Sequence, residues 1–526
     1  MVSHEQSKVS SMLHACNSSS HRARRRALSA LPALVLGLMA AGCGDRYQLG
    51  ETAQTLDNEE SSPGLDSLAV MIVNRAEDTD GVTTHGDFRS RAIGDVDGDG
   101  YDDWANSYLI PQLVYGGPPG PAGNFVDADV STTDFSSAGA VADGNTGWRV
   151  TAAGDVNGDG YADVFVSVTP RPWKLDRPPR AYLWYGGQGR PQQADLALEA
   201  SEGFAIELTE RIDLEAVGHG RSQEVVPDSV GDIDADGYAD FGFSYGPSGS
   251  EETRTYVYYG GATQLPASGS AMAPAARLLG AGGVGALGDV DGDGYPEFQV
   301  RGPRSNLLGV TAASLVRGAA QRLAGDVDIF ASATPIGAID DMTLVQGAGD
   351  LDLDGCDDFV VTRRGYDDVA TYLFHADLFY GGPALLNAPL DPELAEARFS
   401  LDRVPAELAP VGDWNGDGYA DLSFRQSVRR GDEPCSECWY SDDPLWTGEA
   451  RIIPGTSQRY SGSYATTTLR PDLALRDPEA PTGPTGFAPL GDIDADGFSD
   501  LLVVMGVPHS SRSYIKYGGP LNNPIY

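Results

Sequence analysis

The chain has 526 residues, 76 of them acidic and 36 basic, for a formal net charge of −40. That balance excludes recognition of nucleic acid through a basic footprint and attraction to anionic lipid through a polybasic face. With 66 Gly, 34 Pro and an apolar share of 41%, the chain stays below the level of low-complexity disorder and can bury a large core.

Arg22, Arg24, Arg25 and Arg26 precede an apolar run from Ala27 to Ala41. The run is too short to span a bilayer, and its charged-then-apolar form is that of an export signal. It ends at Ala40, Ala41, Gly42 and Cys43. Small residues immediately before a Cys resemble the lipobox of bacterial lipoproteins. The resemblance implies that residues 1–42 are removed and that Cys43 becomes the lipid-modified first residue; an ordinary signal peptide cut nearby is the other reading. The protein is expected to be exported and lipid-anchored in a bacterial envelope, at the outer membrane or cell surface, touching the membrane only through its anchor. Residues 43–65 are polar, acidic and nearly free of aliphatics, as a flexible tether would be.

From Leu65 onward no helical period is sustained, and one motif dominates. GDVDGDGYDD from Gly94 recurs in related form from Gly154, Gly231, Gly288, Gly349, Gly412 and Gly491, at intervals of 57 to 79 residues. A β-rich run ending in Tyr-Gly-Gly follows five of these loops, at Tyr115, Tyr185, Tyr259, Tyr380 and Tyr517. Units four and six carry Leu315–Gly318 and Ile452–Gly455 in its place. Runs such as Val164–Val168 and Leu501–Val504 flank the loops and read as strands. Each unit is therefore strand, Asp-rich loop, strand, variable loop, strand, Gly-rich turn, strand. Four short strands, seven times over, predict an all-β, seven-bladed β-propeller spanning 66–526. One blade cannot bury both of its faces, so the ring must close. The chain ends just after the third strand of unit seven, and the apolar run Leu68–Val73 precedes unit one. That N-terminal strand is expected to complete blade 7.

With the first Asp of each loop as position 1, positions 1, 3, 5 and 9 carry side-chain oxygens in all seven units, and position 6 is Gly. Alternate residues of a tight loop point inward, so these oxygens converge. Position 7 would add its main-chain carbonyl, leaving its side chain free. The predicted ligand sets are Asp95, Asp97, Asp99, Tyr101 and Asp103; Asp155, Asn157, Asp159, Tyr161 and Asp163; Asp232, Asp234, Asp236, Tyr238 and Asp240; and Asp289, Asp291, Asp293, Tyr295 and Glu297. The remaining three are Asp350, Asp352, Asp354, Cys356 and Asp358; Asp413, Asn415, Asp417, Tyr419 and Asp421; and Asp492, Asp494, Asp496, Phe498 and Asp500. Three or four carboxylates in one loop repel strongly without a cation. Calcium, a hard cation that takes about six to eight oxygens in flexible geometry, fits this donor set, with up to seven ions per chain. Magnesium needs a stiffer octahedron, and transition metals would bring His or Cys, which no side-chain ligand position carries. An EF-hand loop would need Glu at position 12; here that position holds Asn106, Val166, Phe243, Val300, Val361, Phe424 and Val503.

The pattern D-x-[DN]-x-D-G-x-x-[DE] between strands, followed by a strand ending in Tyr-Gly-Gly, resembles the FG-GAP repeat of integrin α-subunits and the VCBS-type repeats of bacterial surface proteins. The resemblance covers 460 residues, Ser67 to Tyr526. It implies a seven-bladed propeller with calcium in the hairpin between the first two strands of a blade, and a role in adhesion. Integrins carry such loops in only some blades, whereas all seven units here have one.

No catalytic motif stands out. His85, His219, His375 and His509 lie in no His-x-x-His or His-Glu arrangement, and no nucleophile elbow, P-loop or dinucleotide fingerprint occurs. The favoured function is a monomeric surface module that binds a protein or glycan, with calcium structural. The alternatives are a propeller enzyme that cleaves polysaccharide through a carboxylate acid/base pair, and a passive envelope lipoprotein. Function tends to concentrate in variable loops on a rigid scaffold. Trp173, Tyr366, Trp439, Tyr440 and Trp446 fall in or beside the longest such loops and would form an aromatic binding patch, or else pack those loops down. Cys435 and Cys438 in the loop of unit six read as a local disulfide in an exported chain; a redox pair or half a zinc site are the other readings. Cys356 is left as a free thiol.

Overall fold

The computed structural model describes residues 91–520 apart from 107–110, 119–131, 137–145, 171–179, 192, 196–203, 208–222, 248–252, 266–273, 303–312, 337–343, 367–371, 392, 394, 402–407, 430–445, 466–472, 477–483 and 508–509. Cys43, the tether, the 68–73 strand, Trp173, Cys435, Cys438, Trp439 and Tyr440 lie outside the described residues.

The strands form seven separate sheets, one per sequence unit, and the architecture is an all-β, seven-bladed propeller. Each blade opens with a strand that leads into the Asp-rich loop: Arg91–Gly94, Thr146–Gly154, Gln223–Gly231, Gly283–Gly288, Leu344–Gly349, Leu408–Gly412 and Pro484–Gly491. The second strand begins at position 9 of the loop in every unit, as in Asp163–Pro170 and Asp358–Tyr366. The third ends beside the Gly-rich turn, as in Arg180–Trp184 and Tyr372–Phe379, and a fourth follows in blades 1 to 6. Neighbouring strands of these four are antiparallel throughout.

The loop is seated by a bulge that recurs seven times. In every blade the first hairpin shifts register at the residue before position 1, as between Ala92 and Gly94 or Ser229 and Gly231. That residue is always Gly with positive φ, from 71° to 96°, which explains the invariant Gly-Asp of the motif. Position 4 also has positive φ. Gly fills it in four units, but Ala235, Leu353 and Ala495 adopt φ of 55° to 58°. A left-handed conformation costs a residue with a Cβ about 1–2 kcal/mol. Leu353 is 54% exposed, so little burial offsets that strain. Leu353→Gly is expected to raise the thermal midpoint and stabilise by about 1 kcal/mol, the strain relief exceeding the added chain entropy. A lowered midpoint would contradict this reading.

The core lies between blades rather than within them. Ile93, Leu113 and Phe135 of blade 1 pack on Trp148, Val164 and Val166 of blade 2. Phe165 of blade 2 meets Phe241 of blade 3, ring centroids 5.1 Å apart. The ring closes the same way: Trp104 and Val114 of blade 1 pack on Leu490, Leu502 and Ile515 of blade 7. Position 2 of each loop is a buried plug at these seams: Val96, Val156, Ile233, Val290, Leu351, Trp414 and Ile493 are 0 to 3% exposed. Fully burying such side chains stabilises by about 1.5–3 kcal/mol each, so the seams carry much of the fold.

Among the described residues, three sheets hold a fifth strand that the repeat pattern did not predict. Gln193–Asp195 of unit two pairs in parallel with Thr132–Ser136 of blade 1. Gly325–Asp328 of unit four does the same on Ala276–Leu279 of blade 3, and Gly462–Ala465 of unit six on Ala397–Leu401 of blade 5. Blades 1 and 2, 3 and 4, and 5 and 6 are thereby stitched in pairs. Blade 7 shows three strands among the described residues.

Candidate metal centre

The Asp-rich loops share one internal geometry. Position 1 turns its carboxylate into the loop and accepts main-chain N–H groups. Asp95 takes those of Gly98 at 2.7 Å, Asp99 at 3.1 Å and Gly100 at 2.8 Å. Asp155 and Asp413 take the same three, and Asp232, Asp289, Asp350 and Asp492 the last two. Position 5 accepts the N–H of position 7, as in Tyr101 to Asp99 at 3.2 Å. These bonds fold the loop around its own carboxylates and leave each with oxygen lone pairs to spare.

Position 9 does more than the sequence suggested. Asp103 is 0% exposed, and its two oxygens accept the N–H of Val96 at 2.8 Å and of Gly116 at 2.8 Å. The equivalent pair of bonds recurs at Asp163, Asp240, Asp358, Asp421 and Asp500. Position 9 thus staples the loop to the first Gly of the Gly-rich turn. Glu297, one carbon longer, keeps the loop bond from Val290 at 2.9 Å but leaves its Oε1 buried without a hydrogen-bond partner. Burial pushes these carboxyls far up: to about 8 at Asp103, Glu297 and Asp500, and to about 7 at Asp163, Asp240 and Asp358. The neighbouring loop carboxylates raise them further.

The first Gly of Tyr-Gly-Gly is required by space. A Cβ on Gly116 would lie 2.8 Å from the Cβ of Tyr101 and 2.9 Å from the carbonyl of Ile493. Gly318 and Gly455, in the two units without Tyr-Gly-Gly, are confined in the same way. The residue after it donates its N–H across the seam to the position 2 carbonyl of the preceding loop. All seven such bonds are present at 2.8 to 2.9 Å, including Gly117 to Ile493 from blade 1 back to blade 7. Each loop is therefore gripped from both sides of a seam.

Five loops bring three carboxyls within 4.8 Å of one another. They are Asp95, Asp97 and Asp99; Asp232, Asp234 and Asp240; Asp289, Asp291 and Glu297; Asp350, Asp352 and Asp358; and Asp492, Asp494 and Asp500. The loops of blades 2 and 6 have Asn157 and Asn415 at position 3, one carboxylate fewer, though Asn still offers an oxygen. Asp97, Asp234 and Asp291 are 3 to 9% exposed, and the Oδ1 of each is buried with no hydrogen-bond partner. A buried carboxylate oxygen left unpaired costs free energy unless a cation or proton meets it. Clusters of oxygen donors containing such atoms fit a hard divalent cation. Cys356, at position 7, is a buried free thiol beside Asp354 of its own loop, and its Sγ lies 2.8 Å from where a Cβ on Gly292 of the preceding loop would stand. Burial raises that thiol to about 11, and the carboxylates of Asp354, Asp289 and Asp350 raise it further, so it rests as the neutral thiol.

Of the predicted aromatic patch, Tyr366 and Trp446 are described. They sit at the end of the second strand of blade 5 and the start of the third strand of blade 6, remote along the strand from the Asp-rich loops.

The repeat of blade 2, residues 146–171, matches the FG-GAP repeat. The chain is also 30% identical over 241 residues to integrin alpha-V of Gallus gallus, an alignment covering 43% of this chain and 20% of the relative. It thus spans about a fifth of the length of the curated relative it matches. A solved mannose phosphorylase from Leishmania mexicana, in complex with phosphate ion, overlaps 54% of this chain and 80% of that chain at 9% identity, with a TM-score of 0.23. A likeness that weak bears on neither fold nor function. Blade number and loop geometry define the class: this chain is a seven-bladed β-propeller with an Asp-rich loop in every blade, matching the FG-GAP repeat in blade 2 and similar over 241 residues to an integrin α-subunit.

Proposed function

We propose that this propeller is an exported, calcium-stabilised binding module that engages a protein or glycan ligand through the loops remote from its Asp-rich face. The carrying observation is the buried, unpartnered Oδ1 of Asp97, Asp234 and Asp291 within clustered carboxyls. Calcium would be held by the side chains at positions 1, 3 and 5, by the carbonyl at position 7 and by position 9 where it comes within reach. Its role is structural, because the loops it would brace are the ones that bind adjacent blades to each other. The similarity to integrin alpha-V supports a surface interaction module, with Trp173, Tyr366, Trp439, Tyr440 and Trp446 the candidate aromatic contacts. Lipidation at Cys43 and the 43–65 tether would hold the propeller to the envelope. Leu68–Val73 would add the fourth strand of blade 7 beside Ser510–Lys516.

Two measurements test the reading. Elemental analysis of the dialysed chain is expected to find several calcium ions per molecule and negligible zinc or iron. A glycan array and a surface-proteome capture, each run with and without calcium, are expected to yield a ligand retained only with calcium. A calcium-free chain overturns the metal assignment; calcium without any ligand in either screen overturns the binding role.

A further inference from the structure

In blades 1, 3 and 5 the Asp-rich loop already faces a cation, supplied by the next blade. The guanidinium of Arg190 bridges Asp97 and Asp99, that of Arg322 bridges Asp234 and Asp236, and that of Arg459 bridges Asp352 and Asp354. Each stacks on the tyrosine of the blade it reaches: Arg190 over Tyr115 at 4.9 Å, Arg322 over Tyr259 at 4.6 Å and Arg459 over Tyr380 at 4.8 Å. Each also stands three residues before the exchanged fifth strand that pairs with that same blade. The arginine and the strand form one clamp.

In blades 1 to 5 the arginines follow the charge of position 3; Asp494 of blade 7 has only loop carboxylates as its charged neighbours among the described residues. The Asn157 loop of blade 2 faces Gln264 at the corresponding place, since Leu265 donates its N–H to Tyr185 Oη at 2.8 Å just as Leu323 does to Tyr259 Oη. Asn157 supplies the missing donor itself, through Nδ2 to Asp159 Oδ2 at 2.9 Å. In blade 4 that place holds Leu385, and Asp291 is met by Arg317 of its own blade at 2.6 Å. A position 3 carboxylate in blades 1, 3, 4 and 5 therefore carries one guanidinium on its Oδ2. In blades 1, 3 and 4 its Oδ1 remains buried and unpartnered.

We propose that Arg190, Arg322 and Arg459 are resident counter-cations that tune the affinity of these loops for a divalent ion. The ion must share positions 3 and 5 with a positive charge already in place, so these loops bind it more weakly than they would with a neutral residue there. Loading a loop then loosens the clamp of the following blade. This inference rests on the calcium reading above.

The test is a calcium titration of the mature full-length chain against a competing chelator, for the wild type, R190Q and the triple variant R190Q/R322Q/R459Q. R190Q is expected to tighten one site by about tenfold or more, and the triple variant three. A converse pair serves if stacking on the tyrosines proves essential for folding. N157D should tighten the blade 2 site, and N157D/Q264R should return it towards the wild-type affinity. Calcium bound with unchanged or weakened affinity in the arginine variants, or N157D/Q264R binding as tightly as N157D, overturns the arginine assignment alone. No calcium bound by any of these proteins overturns the calcium reading, and this inference with it.

Discussion

On the proposed calcium assignment, chelation is expected to lower the melting temperature of this protein by roughly ten degrees or more. The estimate starts from five carboxyl triads. An ion bound only by the folded state stabilises by about 2.7 kcal/mol when free ligand is a hundredfold above its dissociation constant. Five such sites give on the order of 13 kcal/mol, and unfolding entropies near 2 cal/mol/K per residue turn that into a shift of this size for the propeller. The formal charge of −40 acts in the same direction. Stripped of cations, the seven loops repel internally and across each seam. The check is thermal melting in EGTA against excess calcium, with magnesium restored to EGTA-treated protein as the control for ion type. A melting temperature that ignores EGTA would sink the metal assignment.

The second large effect is expected at position 9, and it persists without calcium. Asp240→Ala removes the acceptor of two buried N–H groups, that of Ile233 at 3.0 Å and that of Gly260 at 2.8 Å. Each unsatisfied buried donor costs about 1–3 kcal/mol, so the variant should lose about 4 kcal/mol even in EGTA. Gly260→Ala should be comparably severe, because its Cβ would fall 2.7 Å from the Val156 carbonyl. Gly261→Ala, whose Cβ would meet open space, should stay within about 0.5 kcal/mol of wild type. If Asp240→Ala melts like wild type in EGTA but not in calcium, position 9 is a metal ligand only and not a staple.

Much of this architecture was legible in the repeat. Position 1 needs a short carboxylate because it accepts N–H groups three to five residues ahead, and the Gly before it marks a bulge, both short-range requirements that leave a fixed spacing. The invariant first Gly of the turn was legible as a pattern but not as a cause. Its reason is the carbonyl of the previous blade's position 2, such as Ile493 against Gly116. The buried position 2 residues were also there to be read, as an unbroken series of apolar side chains inside an otherwise acidic motif. The arginine clamps had a faint signal, a Gly-x-x-x-Arg spacing at Gly186 to Arg190, Gly318 to Arg322 and Gly455 to Arg459 that skips the odd units.

The amino-acid sequence by itself determined the number of blades, the strand order within each and the donor chemistry of the loops. All of these depend on backbone conformation and hydrogen bonding over a few residues, which repeat faithfully along a chain. The tertiary structure alone decided which blades are stitched in pairs, that position 9 is a two-sided staple, and that Asp97 and Asp99 face Arg190. Those contacts join residues 7 to 107 positions apart or bridge blade 1 to blade 7, and they exist only once the blades have folded and packed against each other.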